Sequence, residues 1–159
     1  MEPTTGPFSV TEEPDSVGPV APHEAFLTVA VGLMPGATVL AAAPPPESAM
    51  ALALVSGQIL ECSLKAFLSK CGLDEEKLKR TFGHNLLDLW RESVTKGLRI
   101  SATPPHWAET LNSLHYSLRN SPTLRYPMGL NVLLLPNAQE TTSELRNLID
   151  TVRKGMDAL

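Results

Sequence analysis

The sequence predicts an all-α protein, an antiparallel up-and-down bundle of about four to five helices with a short extended strap before the last one. Three observations predict it. In Met50–Cys71, apolar residues recur at three- and four-residue spacing (Leu52, Val55, Ile59, Cys62, Ala66, Phe67), with Leu60, Leu64 and Leu68 beside them. The C-terminal stretch carries a second stripe of this period, Leu145, Leu148, Ile149, Val152 and Met156. Between them lie helix stops and starts, Gly72 with Asp74 and Gly83 with Asn85, and nothing in the chain offers two strands to pair.

Met1–Val20 carries four prolines and almost no periodicity, and reads as a disordered tail ahead of a single domain over 21–159. His23–Met34 reads as a short helix with Phe26, Ala30 and Leu33 on one side. Its alternative is a strand of a hairpin turning at Pro35-Gly36, because Val29, Val31 and Val39 are β-branched. The helix is preferred because a strand here has no partner. Ala25–Ala43 has no charged residue and the length of a membrane span, but it is only weakly hydrophobic and Pro35-Gly36 is expected to break it, so no span is expected. The prolines of Ala42–Pro46 make a stiff connector, and the long helix starts at Glu47 or Ser48.

On that helix Gln58, Glu61, Lys65 and Ser69 form the expected wet stripe, with Glu61 and Lys65 a solvated i,i+4 pair worth a few tenths of a kcal/mol. Gly72 supplies a left-handed C-terminal cap, and Asp74 caps a short helix over Glu75–Phe82. After Gly83 and His84, Asn85 caps a third helix with Leu86, Leu89, Trp90 and Val94 inward, ending at Lys96–Leu98. Thr103 as cap and Pro104 at the first position open a helix to about Leu118, lined by Trp107, Leu111, Leu114 and Leu118. An irregular segment with Arg125 and Tyr126 follows, then the strap Asn131–Leu135, then a helix from about Ala138 to Met156.

Composition bounds the function. The chain has 159 residues, enough for one domain with a real core, and 5% aromatics, so Leu, Val and Ala do most of the packing. A net charge of −4 argues against broad charge-driven binding to nucleic acid or membranes. Cys62 and Cys71 lie roughly 13 Å apart along one helix, too far to bridge, and read as buried thiols in a reducing, cytoplasmic setting. The N-terminus lacks the basic region of a secretory signal.

Short connections bring the end of the long helix, the start of the third helix and the end of the Pro104 helix to one tip. Arg80, His84, Asn85, His115, Arg119, Arg125 and Tyr126 are therefore expected to gather there, a basic corner on an acidic protein and the best place for a nucleotide, phosphate or RNA backbone. Each member also has a plain structural reading. His84 can lock the helix corner, Tyr126 can pack its ring, Arg119 and Arg125 can cap helix carbonyls, and His115 can be a half-buried helix residue. His23 and His106 look like surface residues.

The run LECSLKAFL followed by GHNLLDLW, then Arg125-Tyr126-Pro127 and a final amphipathic helix, resembles the HEPN superfamily of small helical bundles over roughly Ala49 to Met156. The resemblance implies a homodimer, nucleotide or RNA as ligand, and a nucleotidyltransferase-type partner protein. Many HEPN proteins are metal-independent ribonucleases that carry an Arg followed a few residues on by a His. This chain departs from that pattern. Arg119-Asn120 begins correctly, but Leu124, Arg125 and Tyr126 stand where the His is needed. Arg80 precedes His84 at too short a spacing, and Arg99 and His106 are separated by Pro104-Pro105. The expected function is thus a non-catalytic module binding a partner protein or a nucleotide. The alternative is a divergent ribonuclease using His84 or His115 with Arg119 or Arg125. No Gly-rich phosphate loop, Gly-x-Ser-x-Gly or metal-like cluster of Cys and His is present, so neither cofactor nor metal is expected.

Overall fold

The computed structural model describes residues 20–43, 48–116 and 135–159. Among these every regular element is an α-helix: α1 Pro22–Ala42, α2 Ala49–Lys70, α3 Glu75–Thr81, α4 Leu86–Thr95, α5 His106–His115 and α6 Ala138–Asp157. The N-terminal tail before Val20, and most of the strap before α6, lie outside the described residues.

Helix α2 is the centre, in contact with each of the other five. Every residue from Ile59 to Leu68 is buried, including Glu61, Ser63 and Lys65. A helix buried on all sides has no wet face, and this overturns the expected stripe: Glu61 and Lys65 are inside, while Gln58 and Ser69 are partly exposed. The helix ends as expected. Gly72 adopts φ +93°, a left-handed conformation that favours glycine, and the Leu73 N–H reaches back to the Leu68 carbonyl at 3.1 Å, the closing bond of a Schellman turn.

Helix α1 corrects the sequence expectation. It continues through Pro35-Gly36 to Ala42, so neither the hairpin nor a break occurs. Proline removes one backbone bond and crowds the preceding turn, but Pro35 is solvent-exposed. Ala30, Met34 and Ala37 on the opposite face are buried against the core, and that packing holds the helix through the proline. The break that argued against a membrane span is therefore absent. By length and composition both α1 and α2 could cross a membrane; of the apolar 18-residue stretch in each, 72% is buried within the fold in α2 and 17% in α1. Those two properties alone do not separate a span from a core helix.

The remaining caps follow residue chemistry. Asp74 accepts the Lys77 N–H at 2.7 Å to start α3. Asn85 accepts the Asp88 N–H at 3.1 Å and donates its amide to the Asp88 carboxylate at 2.6 Å to start α4. Asn137 accepts the Glu140 N–H at 3.0 Å to start α6. The start of α5 differs from expectation. Pro105 occupies the cap position without a side-chain bond, and Thr103 lies in the turn before it, where its carbonyl accepts from the Ser101 hydroxyl at 2.7 Å. Trp90 and Trp107 pack edge to face at 6.0 Å, and the Trp90 indole donates to the Ser101 carbonyl at 2.8 Å. Together they fasten the α4–α5 turn to the core. In α4, Leu86, Leu89 and Trp90 point inward as expected, while Val94 is only half-buried and Ser93 is buried beside it.

Candidate functional site

Three short sequence signals converge on one carboxylate. Glu61 stands mid-way along α2, one turn before Lys65. His84 sits in the turn between Gly83, at φ +53°, and the Asn85 cap of α4. His115 is the last residue of α5. The Lys65 Nζ donates to Glu61 Oε1 at 2.6 Å. His84 Nδ1 lies 3.0 Å from Oε2 and 3.1 Å from Oε1, and His115 Nε2 lies 2.6 Å from Oε2. An ionised carboxylate only accepts, so both ring nitrogens carry the proton and donate. The two imidazoles meet edge to face, 5.8 Å between centroids.

The positions of these groups are set by backbone geometry. His115 fits against α2 because residue 57 is glycine: a Cβ there would stand 2.7 Å from His115 Nδ1. The start of α4, and His84 with it, is tied to α5 by the Leu86 N–H, which donates to Asn112 Oδ1 at 2.8 Å.

Burial differs sharply across the cluster and decides what each group can do. The Glu61, His115 and Lys65 side chains are 5%, 6% and 9% exposed, whereas His84 is 49% exposed. Burial alone would raise the Glu61 pKa, but hydrogen bonds from His115, Lys65 and His84, with the lysine's charge, outweigh it and hold the carboxyl at about 2. Glu61 is thus a fixed negative charge surrounded by donors. Both thiols are pushed up by burial, which at Cys62 outweighs the amide hydrogen bond that Gln58 donates to its sulfur at 3.2 Å, so neither cysteine has the character of a reactive thiolate.

His84 opens onto a groove of about 390 Å³ lined by Phe26, Lys65, Glu75, Leu78, Lys79 and Gly83. A larger cavity of about 550 Å³ lies elsewhere, against Phe67, Lys96, Arg99, Lys154 and Gly155. Lys96 and Lys154 there sit at the C-terminal ends of α4 and α6, where cations offset the exposed carbonyls.

Of the residues expected to form the corner, the structure brings together His84 and His115. Asn85 adjoins them, but its side chain is committed to capping α4. Arg80 is exposed and lines a separate groove with Asp74, Glu76 and Lys77. Arg119, Arg125 and Tyr126 lie outside the described residues. His115 is fully buried where half-burial was expected, His106 is exposed as expected, and His23 is half-buried. Sequence reading missed Glu61 and Lys65 as members, although a charged pair inside an otherwise apolar helical run was the available signal. Glu61, His84 and His115 are also the described residues whose donor atoms could share a metal ion, all lying within 4.8 Å of one another.

The chain matches no protein-family model, no curated protein and no solved structure at a significant level.

Proposed function

We propose that this chain is a HEPN-like helical module, non-catalytic, that binds a phosphate-bearing ligand such as a nucleotide in the groove beside His84. The observation that carries the reading is the asymmetry of the cluster. Glu61 and His115 are sealed inside, and the Glu61 carboxylate holds His84 by Nδ1, so that the rest of its ring faces the groove next to Lys79. A pinned imidazole beside a lysine is a hydrogen-bonding, cationic contact for an anion, with Glu75 the one acidic group on the wall. The HEPN resemblance gains support from the meeting of its two motifs, since the Glu of LECSLKAFL, paired with the Lys of the same run, contacts the His of GHNLLDLW.

The register of α1 on α6 supports antiparallel, up-and-down packing. Gln139 donates to the Ala41 carbonyl, Arg146 to Thr38, and Val31 and Met34 share a groove with Ile149 and Arg153. Position along one helix therefore falls as it rises along the other. The proposed module works as a homodimer alongside a nucleotidyltransferase-type partner, as the resemblance implies, and in a reducing cytoplasm, a reading that rests on its free thiols.

The test is ligand-induced stabilisation in EDTA with ATP or inorganic phosphate. At a ligand concentration of about 100 Kd the stabilisation is about 2.7 kcal/mol, several degrees in Tm. His84→Ala and Lys79→Ala should lose it. A parent whose Tm does not respond to either ligand rules the reading out.

One observation favours a second reading, a ribonuclease. A carboxylate holding His Nδ1 is also the arrangement that orients a general base. Only His84 is open to a substrate, however, which leaves a two-histidine acid–base pair without its second member. Labelled RNA incubated in EDTA with the parent and with His84→Ala distinguishes the two: cleavage by the parent that the variant loses establishes the enzyme.

A further inference from the structure

We infer that Glu61, His84 and His115 form a binding site for a divalent transition metal of the zinc class, in exchange with the Lys65 ammonium. This inference does not rest on the anion groove. The ligand set is two imidazole nitrogens and one carboxylate oxygen, drawn from α2, the α3–α4 turn and the end of α5. Three such ligands with one position left for water make an open zinc site.

The distances are close to what coordination needs. Zinc bonds of about 2.0–2.2 Å set tetrahedral donor atoms roughly 3.3 Å apart. His84 Nδ1 and His115 Nε2 stand 3.0 Å and 2.6 Å from Glu61 Oε2, and all three donors lie within 4.8 Å. The hydrogen-bonded cluster therefore becomes a coordinated one by movements of a fraction of an ångström to about an ångström, without rearranging a helix. Each histidine would move the proton it now shares with Glu61 to its other ring nitrogen, freeing a lone pair for the metal, and the positive charge that leaves the site is the displaced Lys65 ammonium.

Lys65 is the group that opposes the metal. Its ammonium holds Glu61 Oε1 at 2.6 Å and supplies the positive charge that a cation would bring. Its side chain also lines the open groove next to His84 and Lys79, so the ammonium has a route to water when displaced. The same groove gives an ion access through the half-exposed His84 ring. The lysine sets the affinity, and its removal should strengthen binding.

The experiment is a titration with Co2+ of chelator-treated, full-length protein in phosphate-free buffer, followed by displacement with Zn2+. The parent should develop the visible absorption of low-coordinate cobalt, saturating at a single equivalent and bleached by Zn2+. His84→Gln, at an exposed position that the fold can spare, should lose that absorption while keeping the parent's circular dichroism. Lys65→Met should bind at least tenfold more tightly than the parent. Absence of the cobalt spectrum in the parent, its retention in His84→Gln, or weaker binding by Lys65→Met would each overturn the proposal. Loss of the ATP or phosphate response in EDTA bears on the groove alone and leaves this result unaffected.

Discussion

Replacing Glu61 by Gln is the most informative perturbation of this fold. The substitution keeps the side chain's size and removes its charge. It leaves the Lys65 ammonium, 9% exposed, without its counter-charge, and deprives the buried His115 of a charged acceptor. Removing one partner from a buried ion pair costs about 3–5 kcal/mol, because the surviving charge stays desolvated. The carboxyl's own titration gives a similar figure. A lowering from its ordinary 4.5 to about 2 corresponds to about 3 kcal/mol, at about 1.4 kcal/mol per pH unit. Against a total stability of about 5–15 kcal/mol this is a large loss. In urea unfolding at neutral pH, with a slope of about 1–3 kcal/mol per molar, the midpoint should fall by about 1–5 M. The double variant Glu61→Gln with Lys65→Met removes both charges and should recover a substantial part of the loss. The pH dependence has a defined sign. Because the folded pKa lies below the unfolded one, the contribution of Glu61 is complete above pH 4.5 and disappears as pH falls toward 2. The gap between parent and Glu61→Gln should therefore close across that window. A Gln variant within about 0.5 kcal/mol of the parent at pH 7 would refute the view that this carboxylate is buried and saturated with donors.

Four further outcomes are expected. Gly57→Ala should destabilise by about 1–3 kcal/mol, since the new methyl meets the His115 ring pinned by Glu61. Gly32→Ala, on the exposed face of α1 with nothing within 4 Å, should instead stabilise by about 0.4–1 kcal/mol; the pair is read by thermal melts of the two variants side by side. Asn112→Ala leaves the Leu86 N–H without its acceptor and should cost about 1–3 kcal/mol in urea unfolding, with lower hydrogen-exchange protection at the start of α4. Trp107→Ala should cost about 3–5 kcal/mol by the same measurement and change the fluorescence of Trp90, its edge-to-face neighbour.

How much of this was legible in the sequence depends on the range of the interaction. The caps at Asp74 and Asn85 and the stop at Gly72 were readable, because a cap is an exchange between a side chain and backbone groups within a few residues. The apolar stripe of α6 was readable for the same reason, its buried residues recurring at the helical period. The course of α1 through Pro35 was not, since local propensity argues for a break and only packing on the core overrides it. The start of α5 differs because Pro104 suits a first helical position by its own chemistry, whereas the helix begins after Pro105, a cap residue with no side-chain bond to mark it.

The sequence by itself determined that the chain is helical and where most helices begin and end, because those outcomes are settled by neighbours along the chain. It placed His84 and His115 at one tip through connector lengths. Only the tertiary structure decided that Glu61 and Lys65 are internal, that two histidines share the Glu61 carboxylate, and that one of these histidines is sealed while the other faces a groove. Burial is a property of what packs on a helix from every side, and α2 is covered by all five of its neighbours. An Glu-x-x-x-Lys pair reads the same on a wet face as in a core, and its energetic meaning is fixed by the surroundings that desolvate it.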